Sequence, residues 1–207
     1  IYGTAIVISF KSFKGLVLCL VFTQTGLILL GMFSLNEQGI QGAIIKILSH
    51  SAVTAGLVIC LNILFERFKP GQEFQIRKLL NNTPRYLVLN ILLLLAVIGV
   101  PGTSGFIGNF LIVLGAFEHS LIVSVFVFII LILLIIDVLY IYQHIIFGNV
   151  VAFNKSSIED LSRHELVVLL PITCLVFWIG VYPIPFLEVI SLSAESITKS
   201  LILISGD

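Results

Sequence analysis

Two ionisable residues lie one helical turn apart inside a long apolar segment. Lys46 and His50 are four positions apart, so a helix places them on one face, and Thr54 extends that face by another turn. A charge near the centre of a bilayer costs about 2.5–3.5 kcal/mol on insertion scales, so such residues usually face a cavity or a partner. Imidazole and a desolvated amine can both exchange protons near neutral pH. The pattern indicates proton transfer; the alternative is a structural ion pair or a buried hydrogen bond to a neighbouring helix.

A second candidate is Asp137, which ends the apolar run Ile-Leu-Ile-Leu-Leu-Ile-Ile. A carboxylate in such surroundings needs a partner, a water path or a proton. Tyr140 and His144 follow at i+3 and i+7 and share its helical face. His144 is also close enough to the predicted membrane surface for simple solvation to explain it.

The third feature is the segment Tyr86–Phe117, which carries no charged residue. As one helix it would be about 48 Å long, more than a bilayer core of about 30 Å requires. Its middle is rich in glycine and contains a proline, which removes a backbone donor. We therefore expect two half-helices and a cavity at the break, against the simpler alternative of a proline kink. The predicted break residues are Pro101, Gly102, Thr103, Ser104 and Gly105.

Composition determines what these residues are embedded in. The chain of 207 residues is 58% hydrophobic and 11% charged, whereas soluble domains carry about 25% charged residues. The sequence predicts an all-α, polytopic bundle of transmembrane helices, with a surface tail over residues 188–207 and the end of a preceding helix over residues 1–10, so that the sequence is expected to be a fragment or one piece of a split protein. The predicted spans are about 15–35, 38–66, 86–117 (broken near 99–105), 120–147 and 165–187.

The loops of these five spans differ in charge. Nine basic residues fall on one side and only Lys199 on the other, which orients the basic side toward the cytoplasm or the mitochondrial matrix. The nine are Lys11, Lys14, Arg67, Lys69, Arg77, Lys78, Arg85, Lys155 and Arg163. Basic and acidic residues are equal in number, 11 each, which argues against a nucleic-acid partner. The three cysteines have no metal-ligand spacing, and no metal site is predicted.

Three segments, Leu35–His50, Val100–Ile112 and Trp178–Pro183, together with Phe13-Lys14, resemble the subunit 4 family of respiratory complex I, the mitochondrial NADH:ubiquinone oxidoreductase. The resemblance covers essentially the whole chain and corresponds to the C-terminal portion of these antiporter-like, proton-translocating subunits. It implies the second of two inverted repeats, with one discontinuous helix. It also implies a multi-pass location in the mitochondrial inner membrane, with the C-terminus on the intermembrane side.

The same resemblance implies a role in an enzyme that couples NADH oxidation and ubiquinone reduction to proton pumping. It places FMN and iron–sulfur clusters elsewhere in the complex and no redox centre or substrate site in this chain. The implied partners are other membrane-arm subunits, including a chain with the N-terminal half, and phospholipids. Two alternatives remain: a subunit of a Na⁺/H⁺ antiporter or membrane hydrogenase, and a structural membrane subunit whose proton channel has degraded.

Compared with the family residue by residue, the chain matches at His50, a central relay histidine. Gln24 stands where the family usually has a histidine, and Asn109 where it usually has a glutamate. An amide can hydrogen-bond but cannot hold and release a proton near neutral pH. Our hypothesis is that Lys46 replaces the lost histidine and points toward Gln24, while Asp137 replaces the lost glutamate and shares a cavity with Asn109. Access from the matrix side is predicted to involve Lys14, His144 and Tyr140.

Overall fold

The structure, a computed structural model, describes residues 13–67, 83–147 and 160–205, and within these ranges every regular element is an α-helix. The predicted all-α bundle is thus confirmed. The helices are α1 Phe13–Phe33, α2 Glu37–Arg67, α3 Pro84–Ile98, α4 Ser104–His119, α5 Leu121–Phe147, α6 Arg163–Val181 and α7 Ile184–Ser205. Residues 1–10 and the side chains of Lys14 and His144 lie outside the described part of the chain.

Within the described ranges, three segments are long and apolar enough to cross a membrane: Glu37–Leu64, Leu121–Tyr140 and Arg163–Val181. Val17–Phe33 and Pro84–Ile98 are shorter apolar helices. Large apolar side chains also cover the outside of α5 and α6, where Phe126 is 50% exposed and Trp178 63%. Such an exterior suits a bundle that is solvated by lipid.

The last predicted span and the tail differ from expectation. The span ends at Val181 rather than at 187, because Pro183 has no N–H to continue the helix and forces Tyr182 out of the α conformation. The segment predicted as a surface tail belongs to α7, which packs against α2 and buries Ile190 and Ala194.

Among the described helices, α2 and α4 make the most extensive contact. They run antiparallel along a seam of small residues. A Cβ atom added to Gly115 would lie 2.6 Å from the Cα atom of Gly39, and one added to Gly108 would lie 3.0 Å from the Cβ atom of Lys46. The missing side chains therefore let the two backbones approach. The seam holds the Lys46 backbone against the second half of the interrupted helix.

Candidate functional site

Lys46, His50 and Thr54 face one cavity between α1, α2 and the end of α3, as their spacing predicts. Lys46 is only 2% exposed, and His50 is half-buried with its Nδ1 atom 3.3 Å from Thr54 Oγ1. Gln24 enters the same cavity from α1, and Val97 enters from α3. The cavity volume of about 20 Å³ is sufficient for one water molecule. Lys46 and Gln24 thus share a small cavity that water can enter.

The second property of this cavity is that its lining is short of negative charge. In the described part of the chain no acidic side chain lines it, so the Lys46 amine has no carboxylate beside it there. An uncompensated buried charge is strongly destabilising. The ammonium form of Lys46 must therefore rely on water and on neutral polar groups such as Gln24 and Ser49. This environment suits a group that gains and loses a proton better than one that belongs to a permanent ion pair.

The interrupted helix is present where it was predicted, between Ile98 and Ser104. Gly99 ends α3 with φ +82° and Gly102 has φ +94°, backbone conformations that glycine adopts without strain. The Thr103 backbone N–H and hydroxyl both donate to the Val100 carbonyl, at 3.1 and 2.8 Å. The turn is therefore closed by its own hydrogen bonds.

The predicted break residues differ in their surroundings. Thr103, Ser104 and Gly105 are buried, whereas Pro101 is exposed. None of the predicted break residues lines the cavity of Lys46, and a separate hydrated cavity at the break stays a prediction.

Gln24 and Asn109 both contact the end of α3. Gln24 Nε2 donates to the Val97 carbonyl at 2.9 Å, and Asn109 Nδ2 donates to the Ile98 carbonyl at 3.2 Å. The remaining oxygens of the two amides, Gln24 Oε1 and Asn109 Oδ1, are buried and accept no hydrogen bond from the described residues. Each amide thus joins the break by its donor and leaves its acceptor unused.

Asp137 lies at a different interface. It is 3% exposed, its Oδ2 atom has no hydrogen-bond partner among the described residues, and it interacts electrostatically with Cys19 on α1. Cys19 precedes Gln24 by five residues, which is about 7.5 Å along a helix, toward the end of α1 that bears the basic residues. No hydrogen bond joins Asp137 to Asn109 in the described part. The predicted cavity common to these two residues is therefore untested, while the electrostatic interaction with Cys19 favours a position nearer the basic side.

Of the predicted access residues, only Tyr140 has a described side chain. It is half-buried and packs at the edge of the core one turn beyond Asp137. Its position is compatible with a path from the basic side along α5. Groups of three or more His, Cys, Asp or Glu side chains that could bind a metal ion do not occur within the described ranges.

Two contacts of the site were not predicted. The Ser104 hydroxyl donates to the Ser49 hydroxyl at 2.8 Å and links the start of α4 to the helical face of Lys46. Gly180 of α6 packs against the backbone of Gly102 and Thr103 so closely that a Cβ atom there would collide with it. The i+3 spacing of Ser49 from Lys46 was a usable signal; the contact of Gly180 is visible only in three dimensions.

The chain is similar to known proteins both in sequence and in structure. The family model described as "NADH:quinone oxidoreductase/Mrp antiporter, TM" matches residues 2–136. NADH-ubiquinone oxidoreductase chain 4 of Marchantia polymorpha is 35% identical over 170 residues, 82% of this chain and 34% of that protein. Its counterpart in Chondrus crispus is 32% identical over 177 residues, 86% of this chain and 36% of that protein. The chain spans about a third of the length of these relatives.

Solved structures show the same fold. A chain of respiratory complex I from Thermus thermophilus with bound NADH matches 96% of this chain and 42% of its own length, with a TM-score of 0.83 and 27% identity. A chain of the Mrp complex from Dietzia sp. matches 99% of this chain and 46% of its own length, with a TM-score of 0.80. At 15% identity, the second likeness concerns the fold alone.

Proposed function

The chain belongs to the NADH:quinone oxidoreductase/Mrp antiporter transmembrane family, and on that premise we propose that it forms part of the proton-translocating subunit 4 of a mitochondrial NADH:ubiquinone oxidoreductase. The names of the eukaryotic relatives and the apolar helices support this assignment. The location is then the mitochondrial inner membrane, with the C-terminus on the intermembrane side. The partners are other membrane-arm subunits and phospholipids, and FMN and the iron–sulfur clusters are bound elsewhere in the complex.

The observation that carries the proposal is the burial of Lys46 beside His50 in a cavity of water size without a carboxylate. The two side chains are one helical turn apart, so a single water molecule suffices to relay a proton between them. Gln24 contributes an oxygen that can accept a hydrogen bond from the ammonium group or from that water. Lys46 and His50 thus form the central part of the relay.

In the proposed proton path, Asp137 precedes Lys46 rather than following it. Its electrostatic interaction with Cys19 supports a position on the basic side of the level of Gln24, and protons in this orientation enter from the basic side. This order differs from the sequence-based hypothesis, in which Asp137 replaces the glutamate lost at Asn109. Tyr140, one turn further along α5, extends the path toward the matrix surface.

Proton pumping by the intact complex in sealed vesicles tests the proposal. Lys46→Met keeps the length of the side chain and removes its proton-binding group, so the ratio of protons pumped to electrons transferred should fall while electron transfer continues. Ile47→Met, a substitution of an exposed neighbour on the same helix, should leave the ratio unchanged. An unaltered ratio in Lys46→Met would instead support a subunit whose channel has degraded.

The same vesicles distinguish proton pumping from cation antiport. With K⁺ in place of Na⁺ in the medium, the ratio of the unsubstituted complex should stay constant, because the cavity offers no carboxylate to bind Na⁺. A ratio that depends on Na⁺ and is lost in Lys46→Met would favour a Na⁺/H⁺ antiporter.

A further inference from the structure

At the end of α3, the carbonyl groups of Val97 and Ile98 are among those that the backbone of the helix does not satisfy. In a continuous helix the Val97 carbonyl would accept from the N–H of residue 101, but that residue is Pro101, which has none. The next carbonyl, that of Ile98, loses its partner because the chain turns at Gly99. Buried carbonyl groups without a partner are costly in a membrane protein, since lipid supplies no donors. The backbone bonds of the turn go to Leu95 and Val100 instead.

Two side-chain amides supply the missing donors. Gln24 reaches Val97 across 73 positions of sequence, and Asn109 reaches back to Ile98 across 11. Both amides are buried, Gln24 at 3% and Asn109 at 7% exposure. The break is therefore held from two sides, by α1 and by α4.

We propose that Gln24 and Asn109 are positioning residues that hold the interrupted helix closed whatever the protonation state of the relay. An amide is a donor at every physiological pH, whereas a carboxylate is an acceptor only and cannot bind a carbonyl oxygen. The inference rests on the proposed function for its readout, coupled proton pumping. It gives Gln24 and Asn109, where the resemblance implies a histidine and a glutamate, a role other than that of lost proton carriers.

The second atom of the Gln24 amide adds to this role. Gln24 Oε1 is buried and has no hydrogen-bond partner among the described residues, and Gln24 lines the cavity that contains Lys46. The donation from Nε2 to the Val97 carbonyl fixes the orientation of the amide. Gln24 thus couples the closed break to an oxygen that can accept a hydrogen bond from the Lys46 ammonium group or from water in this cavity.

Replacing each amide by its isosteric acid distinguishes a clamp, a residue that holds the interrupted helix closed, from a residue that carries protons. In the intact complex, Gln24→Glu and Asn109→Asp keep the shape of each side chain and remove the donor whenever the carboxyl group is ionised. Loss of one such hydrogen bond, about 1 kcal/mol, shifts the equilibrium between the closed and the open break about fivefold toward the open form. The contribution of this subunit to the proton-to-electron ratio should therefore be lost when the carboxyl group is ionised.

The pH profile of the Gln24→Glu complex gives the sharper readout. A protonated carboxyl group can donate to Val97, so the ratio should be retained at low pH and fall as pH rises. The titratable groups that face position 24 are Lys46 and His50 from α2, with Cys19 one turn away on α1 and Asp137 beyond it on α5. The unsubstituted complex and Thr25→Ala, at an exposed neighbouring position, contain the same groups and should lack this fall.

Asn109→Gln retains a donor and should keep the ratio, whereas Asn109→Leu should lose it; equal effects of these two would overturn the clamp. The comparison of Asn109→Gln with Asn109→Leu also tests the clamp if the complexes with the acid variants fail to assemble. A ratio that Gln24→Glu and Asn109→Asp maintain at all pH values would equally overturn it.

Lys46→Met, measured in the same preparations, keeps the two proposals apart. If the proton-to-electron ratio changes in the acid variants but not in Lys46→Met, the clamp stands and the route through Lys46 is refuted. The opposite result refutes the clamp alone, and no change in any variant refutes both.

Discussion

Lys46 combines a titratable amine with a cavity that no acidic side chain of the described residues lines. Its backbone lies against Gly108, where a side chain of any size would displace it, and its amine enters a cavity shared with Gln24 and His50. Burial of this kind without a carboxylate is rare for lysine, because these residues are almost never fully buried unless paired. The proposed chemistry of the site therefore follows from the position of the Lys46 side chain.

Asp137→Asn should lower the proton-to-electron ratio of the complex while electron transfer continues. The amide is isosteric but cannot carry a proton, so a relay that enters through Asp137 loses its first group. The measurement is proton uptake by sealed vesicles during NADH oxidation.

Leu139→Met is the matched control for that measurement, because residue 139 is on the same helix and is exposed. A ratio in Asp137→Asn equal to that of this control would place Asp137 outside the relay.

The interrupted helix depends on helices that are distant in sequence. Gly180 of α6 packs against Gly102 and Thr103, and Ser49 of α2 accepts a hydrogen bond from Ser104. Together with the two amides, these contacts hold the break from α1, α2, α4 and α6. A turn that is rich in glycine thereby becomes a defined element.

Gly180→Ala should destabilise the break, because the added methyl group would collide with the backbone of Gly102 and Thr103. Overpacking of this kind costs about 1–3 kcal/mol. The expected result is a lower temperature of thermal inactivation and less assembled complex. Val181→Ala, at the exposed next position, should change neither; equal behaviour of the two variants would show that the α6 contact is dispensable.

The two ends of the bundle are each tied by a long-range contact. On one side the Asp160 carboxylate accepts from the backbone N–H groups of Arg85 and Tyr86, at 3.2 and 3.3 Å, and so joins the approach to α6 to the start of α3. At the other, Asn36 Nδ2 donates to the Gly115 carbonyl at 2.6 Å. This arrangement agrees with spans that alternate in direction and places Arg85 on the basic side.

Single cysteines test the orientation that this alternation implies. Ser162→Cys, at the exposed start of α6, should react with a membrane-impermeant maleimide only from the matrix side. Glu188→Cys, at the exposed start of α7, should react only from the intermembrane side. Labelling of both from one side would contradict the proposed topology.

The sequence allowed the helical fold class and the common helical face of Lys46 and His50 to be predicted, while the roles of the site residues stay predictions. The apolar runs, the interruption after Ile98 and the common face of Lys46 and His50 are local properties. The helical nature of the segment that forms α7 was missed because its mixed polarity resembles a surface tail. The neighbours of Asp137 could not be predicted, since one helix does not reveal which other helix it faces.

By itself, the sequence determined that this protein is a membrane-embedded helix bundle with a Lys–His pair on one helical face. Residue spacing suffices for that, because the helix has a constant rise and pitch and a bilayer tolerates little else. Only the tertiary structure decided that Gln24 and Asn109 donate to the Val97 and Ile98 carbonyls at the break, and that Asp137 interacts electrostatically with Cys19. The rotation and depth of each helix depend on packing against its neighbours, and no periodicity within one helix encodes them.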